Sequence, residues 1–139
     1  MRCVLDTNVL VAALLSRSGA PGELVRLWLE GAFEVVASPL LLAELRRALA
    51  NPKLRSRVSE AEAEAFLALV TEGATIVDDP VCPPSLRTAD PNDDFVVAIA
   101  EGARAVIVSG DQHLLEMAGR LPVRSPEDFR LLLSRREGE

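Results

Sequence analysis

The chain has 139 residues, of which 49% are hydrophobic and 26% charged, and carries a net charge of −6. That length suits one domain that buries its own core without staples, and the composition excludes long disorder. The acidic balance also excludes a surface coated throughout in positive charge, so any phosphate-binding region must be a local patch.

All the basic residues except Lys53 are arginines, and Arg46, Arg47, Lys53, Arg55 and Arg57 lie close together. Arginine grips phosphate through a planar fork, so this run is either such a patch or a solvated basic face. Cys3 falls in an apolar run and Cys82 in a proline-bounded loop, with neither metal-ligand spacing nor a disulfide framework, which points to a reduced, cytoplasmic compartment. The opening MRCVLDTNVLVAALL is too short an apolar run to span a bilayer and is broken by Asp6, so neither signal peptide nor membrane anchor is expected.

In chain order, residues 2–5 read as a strand ending at Asp6, and 8–15 as a helix. Residues 16–22 (SRSGAPG) have loop composition, and ELVRLWLEG reads as a largely buried helix ended by Gly31. The β-branched run 33–38 predicts the next strand. Ser38 and Pro39 then supply an N-cap and first helical position for a helix over 39–50, stopped by Asn51 and Pro52.

A helix over 59–73 has a Ser cap and acidic residues in its first turn, and a strand over 74–79 follows. Residues 80–92 hold four prolines and form the one long loop. Then come a helix over FVVAIAEGA, a strand over 105–110, a helix over DQHLLEMAGR, a short strand near 122–124 and a helix over 126–135. Strands alternating with helices from 1 to 139 predict a single α/β domain, with a central, mostly parallel sheet flanked by helices.

In such sheets ligands bind beyond the carboxyl ends of the strands. Asp6 follows the first strand and Asp111 the strand AVIVSG, so both belong at that edge. At about 100° per residue, Leu41, Leu42, Leu45, Ala48 and Leu49 cover an arc of roughly 120°, with Glu44 roughly 40° beyond it, nearer the core than a solvated glutamate sits. Asp93 and Asp94 stand where the long loop meets its helix. Taken singly, each aspartate fits a cap or a turn. Converging on one edge, they repel unless cations bind, and an all-oxygen set suits Mg²⁺ or Mn²⁺.

The segments VLDTNVL (4–10), SPLLLAEL (38–45), DPNDDFVVAIAEGA (90–103) and VIVSGDQHLL (106–115) resemble, in order and spacing, the acidic motifs of PIN-domain ribonucleases, VapC-like toxins among them. The resemblance covers nearly the whole chain. It implies a PIN-like fold and Mg²⁺- or Mn²⁺-dependent cleavage of RNA. For a toxin of a type II toxin–antitoxin pair it also implies a homodimer silenced by a small antitoxin protein.

By position Asp6, Glu44, Asp93 or Asp94, and Asp111 match the family's four acids. Asp94 is favoured over Asp93 because it directly precedes the expected helix. Thr7, Asn8 and Ser109 are small hydrogen-bonding residues that can orient the carboxylates or simply serve turns and caps. Arg46, Arg47 and Arg87 are the candidates for RNA phosphate. His113, the one histidine, is expected on a surface helix near the site.

Other aspartate-bearing α/β families fit less well. A haloacid-dehalogenase-type phosphatase needs a second aspartate where Asn8 stands, a receiver domain needs a lysine near the site, and a dinucleotide fold needs a glycine-rich first turn. Two alternatives remain: a PIN-like RNA- or protein-binding module with a structural metal, and an RNA-processing nuclease that is not a toxin.

Overall fold

Successive residues of each strand point to opposite faces of the sheet, and here both faces are covered. The computed structural model describes residues 1–88 and 91–137. Its strands are β1 (Arg2–Leu5), β2 (Glu34–Ala37), β3 (Thr75–Ile76), β4 (Val106–Val108) and β5 (Val123–Arg124), all parallel in the order β3-β2-β1-β4-β5. The helices are α1 (Thr7–Leu15), α2 (Ala20–Leu29), α3 (Pro39–Leu49), α4 (Glu60–Gly73), α5 (Pro91–Ala103), α6 (Gln112–Leu115) and α7 (Pro126–Glu137), with a 3₁₀ turn at Pro52–Leu54. The expected α/β class and parallel sheet are thus present.

Cys3, Leu5, Val35 and Val108 face one core, built with α1, α2, α4 and α7, in which the Phe33 and Phe129 rings meet edge to face at 5.2 Å. Val4, Val36, Ile107 and Val123 face the other, which α5 closes with Val96, Val97, Ile99 and Ala100. Burial pushes the Cys3 thiol far up, so it is an inert core group. No helix among the described residues is long and apolar enough to cross a membrane.

Several element boundaries differ from the sequence reading. α2 starts at Ala20, inside the expected loop: Pro21 is tolerated in a first helical turn, and a side chain on Gly22 would meet the Arg17 carbonyl oxygen at 2.5 Å. Gly31, at φ +87°, ends this helix as expected. β3 is shorter than the expected strand because the Ala74 N–H bonds to Val70 O and Asp79 turns to accept from the Leu40 amide at 2.8 Å. α6 stops at Leu115, and the next residues wind in turns closed by bonds such as Met117 N–H to Leu114 O.

α5 begins at Pro91, so Asp93 and Asp94 lie within its first turn. The expectation that Asp94 directly precedes this helix is corrected accordingly. Proline again opens the helix, where its missing N–H costs nothing. α4 agrees closely with the sequence, down to a capping box in which Ser59 and Glu62 bond each other's backbone amides.

Gly73 closes α4 against the indole of Trp28, where a Cβ would stand 2.9 Å from Cζ2 of a nearly buried ring. Helix propensity alone favours alanine by about 1 kcal/mol, but the clash outweighs it. Gly73→Ala is expected to destabilise the fold by about 1–2 kcal/mol, read as a lower urea midpoint at unchanged slope.

Candidate active site at the carboxyl edge of the sheet

The chain reverses its direction of travel across the sheet between β1 and β4, so the crevice beyond these two strands is where a parallel α/β sheet offers a site. The Asp6 N–H donates to Val108 O at 2.9 Å, fixing the residue after β1 beside the end of β4. Asp6 caps α1 by accepting the Thr7 amide on Oδ1 at 2.8 Å, and its Oδ2 accepts the Ser109 hydroxyl at 2.8 Å. Ser109 Oγ in turn accepts the Asp111 amide at 3.0 Å, while Asp111 Oδ1 accepts the His113 amide at 2.9 Å and caps α6. On the opposite side Thr7 Oγ1 donates to Glu44 Oε2 at 3.1 Å. One hydrogen-bonded chain therefore runs Glu44, Thr7, Asp6, Ser109, Asp111.

Burial holds the Asp6 carboxyl above the usual carboxylate range. The Ser109 and Thr7 hydrogen bonds oppose that rise, and the charge of Asp111 adds to it. Glu44 Oε1 and Asp111 Oδ2 accept no hydrogen bond among the described residues. Open carboxylate oxygens beside a half-buried acid that resists ionising fit a hard cation, which would relieve the repulsion. The gathering is incomplete, however: among the described residues no three His, Cys, Asp or Glu side chains stand close enough together to hold an ion.

Asp94 is buried, but its neighbours are different. Its Oδ1 accepts the Thr88 amide at 2.7 Å and the Thr88 hydroxyl at 2.8 Å, and its Oδ2 pairs with Arg87 Nε at 3.2 Å. These donors, the Thr88 amide first, hold its carboxyl below the usual range. Asp93 is half-buried on the same turn, and Asp90 of the third motif lies outside the described residues. Asn8 is exposed and, among the described residues, shares no hydrogen bond with Asp6, Glu44, Asp94 or Asp111, and His113 is exposed, as expected.

The basic run divides. Arg55 donates to Leu49 O at 2.5 Å and Val58 O at 3.3 Å, and Arg57 to Leu15 O at 2.9 Å, so both tie down helix ends. Arg46 lines a groove between α3 and α4, together with Leu67 and Glu64. Arg47, three residues beyond Glu44, shares its side of α3. Sequence reasoning missed Thr88, whose amide and hydroxyl both bond Asp94; its place beside Arg87, ahead of the acidic pair in sequence, was the available signal.

Residues 2–113 match the family model of the PIN domain. The protein MJ1680 of Methanocaldococcus jannaschii is 25% identical over 122 residues, covering 84% of this chain and 75% of that one. The crystal structure of PAE2754 from Pyrobaculum aerophilum has a TM-score of 0.67 at 21% identity, covering 97% of this chain and 90% of its own. VapBC2 from Rickettsia felis, bound to a DNA fragment from their promoter, has a TM-score of 0.62 at 16% identity, covering 90% and 98%. These two structural likenesses are of fold.

Because burial raises the Asp6 carboxyl, the stability linked to its protonated form is fully present below the ordinary carboxylate range and is lost as pH rises through the raised value. Asparagine removes the charge and still caps the helix. Without divalent cations, Asp6→Asn is expected to match wild type near about pH 3 and to exceed it near about pH 8, by thermal unfolding across that range.

Proposed function

The chain belongs to the PIN-domain family, and we propose that it is a divalent-metal-dependent ribonuclease that hydrolyses RNA phosphodiester bonds. The carrying observation is the link from Asp6 through Ser109 to Asp111 across the ends of β1 and β4, with Glu44 joined through Thr7. Asp6, Glu44 and Asp111, with Asp94 or Asp93 from α5, would hold Mg²⁺ or Mn²⁺. When bound, such an ion polarises a phosphoryl oxygen and makes water a stronger nucleophile at neutral pH.

The chain's own residues supply the rest. Ser109 orients the Asp6 carboxylate while holding the Asp111 backbone amide beside it, and Thr7 donates to Glu44 on the other side. Each small hydroxyl thereby fixes a carboxylate that would otherwise rotate away from its like-charged neighbour. Arg47 and Arg87 supply positive charge for the RNA backbone, with Arg46 further around α3.

The likeness to VapBC2 supports a small antitoxin as partner and a place as the toxin of such a pair. A cytoplasmic location and one nuclease domain over 1–139 complete the reading. Exposed apolar residues such as Leu29 and Leu40, 56% and 52% accessible, support a homodimer. Sedimentation at micromolar concentration is expected to give twice the 15.0 kDa protomer; a 15.0 kDa species alone removes the dimer.

An RNA panel with Mn²⁺, Mg²⁺ or chelator, beside the equivalent DNA, tests the activity. Cleavage of RNA only with metal, lost in Asp6→Asn and in Asp111→Asn, is the expected result. Retention of uncut RNA by wild type indicates a binding module instead. Metal at about a hundred times its Kd is expected to stabilise wild type by about 2.7 kcal/mol, and an unmoved thermal midpoint rejects the metal site.

A further inference from the structure

Asp94 already has a cation. Residues 85–88 run back along α5 as a strap fastened at two points. At one, the Ser85 amide donates to Glu101 Oε2 at 2.9 Å and its hydroxyl bonds the other carboxylate oxygen. At the other, Thr88 and Arg87 take both oxygens of Asp94. Asp94 and Glu101 are seven residues apart, about two turns, so they lie on one side of the helix. Between them Leu86 packs against the core cluster that contains Val97.

The two partners at Asp94 are unequal. The carboxylate is 12% exposed and the Arg87 side chain 63%, so the arginine reaches in from solvent to an acid fixed in place. A guanidinium and a divalent cation at the same carboxylate oxygen repel each other, so each weakens the other's hold on Oδ2. Thr88 occupies only Oδ1 through neutral donors, which a metal-ligating carboxylate can keep.

We propose that Arg87 is a positioning residue that stands in for the metal: it holds Asp94 while the ion is absent and is displaced when the ion binds. Displacement frees its guanidinium at the edge where the RNA phosphate arrives. This rests on the ribonuclease reading above and adds an exchange of cations on one carboxylate, with no bond made or broken.

Calorimetric titration of Mn²⁺ into the whole chain tests it, comparing wild type with Arg87→Ala, Arg87→Lys and Asp94→Asn. Removing a competing cation of this exposure is expected to tighten Mn²⁺ binding about two- to fivefold in Arg87→Ala. Arg87→Lys, which keeps the charge, is expected to stay near wild type, and Asp94→Asn to bind more weakly. In NMR spectra with Mg²⁺ the Arg87 Nε–H signal of wild type is expected to shift to that of a solvent-exposed guanidinium. For single-stranded RNA, Arg87→Ala is expected to lower the salt slope by about 0.7.

Unchanged or weaker Mn²⁺ binding by a folded Arg87→Ala, or an unmoved Arg87 signal in metal-saturated wild type, overturns the exchange and makes the arginine a fixed brace. If the alanine variant does not fold, the Arg87 signal in wild type decides alone. Wild type that binds no Mn²⁺ overturns the ribonuclease reading itself, and the exchange with it.

Discussion

The hydroxyl of Ser109 joins two strand ends that lie 103 residues apart in sequence, and the polar edge of the sheet is organised around it. It is fully buried, donates to Asp6 and accepts from the Asp111 amide, so its one proton and one lone pair have assigned partners. Such a bond forms only if β1 and β4 lie side by side in the register that pairs Leu5 with Val108. In that register Cys3 and Leu5 face one core and Val4 the other, and a slip of one residue would exchange them. Strand pattern, sheet order and the meeting of the two aspartates are thus one constraint at three scales.

The buried polar side chains among the described residues are Thr7, Ser38, Asp94 and Ser109, and all stand where strands end or α5 begins. None leaves a buried side-chain polar atom unpaired. An orphaned buried polar group costs about 1–3 kcal/mol, so their confinement to this edge leaves both cores wholly apolar. The acids there are held in opposite senses. Asp6 is pushed towards its neutral form by burial and Asp111, whereas Asp94 is pulled towards its charged form by Thr88 and Arg87. Ionisation is thus disfavoured at one acid, while the other has an internal counter-ion in Arg87.

Much of this was legible in the sequence. Strand period, the Ser-Pro start of α3, the Ser59 cap and the acids after β1 and β4 are local signals, and each appears in the structure where its chemistry requires. The partnership of Thr7 and Ser109 with the acids was legible as an option beside turn and cap chemistry. In Asp6 and Asp111 both occur at once, since each caps a helix while joining the edge. What the sequence hid depends on distant backbone. The basic run could be a phosphate patch or a solvated face, but backbone carbonyls claim Arg55 and Arg57, and the strap that engages Asp94 sits in a proline-rich stretch with no periodicity to read. The start of α5 was misplaced because Pro91 was counted with the four prolines of the long loop, whereas it opens the helix as Pro39 does in α3.

The two outer strands, β3 and β5, contain two residues each. A sheet grows by templating a new strand on the unpaired amides and carbonyls of its border, and a border this short offers too few for an extended peptide to hold. Thr75, on the β3 side, also commits its hydroxyl to Glu34 of the neighbouring strand. The parallel, strongly apolar interior, which as an open ribbon would invite amyloid-like stacking, is therefore closed to lateral growth.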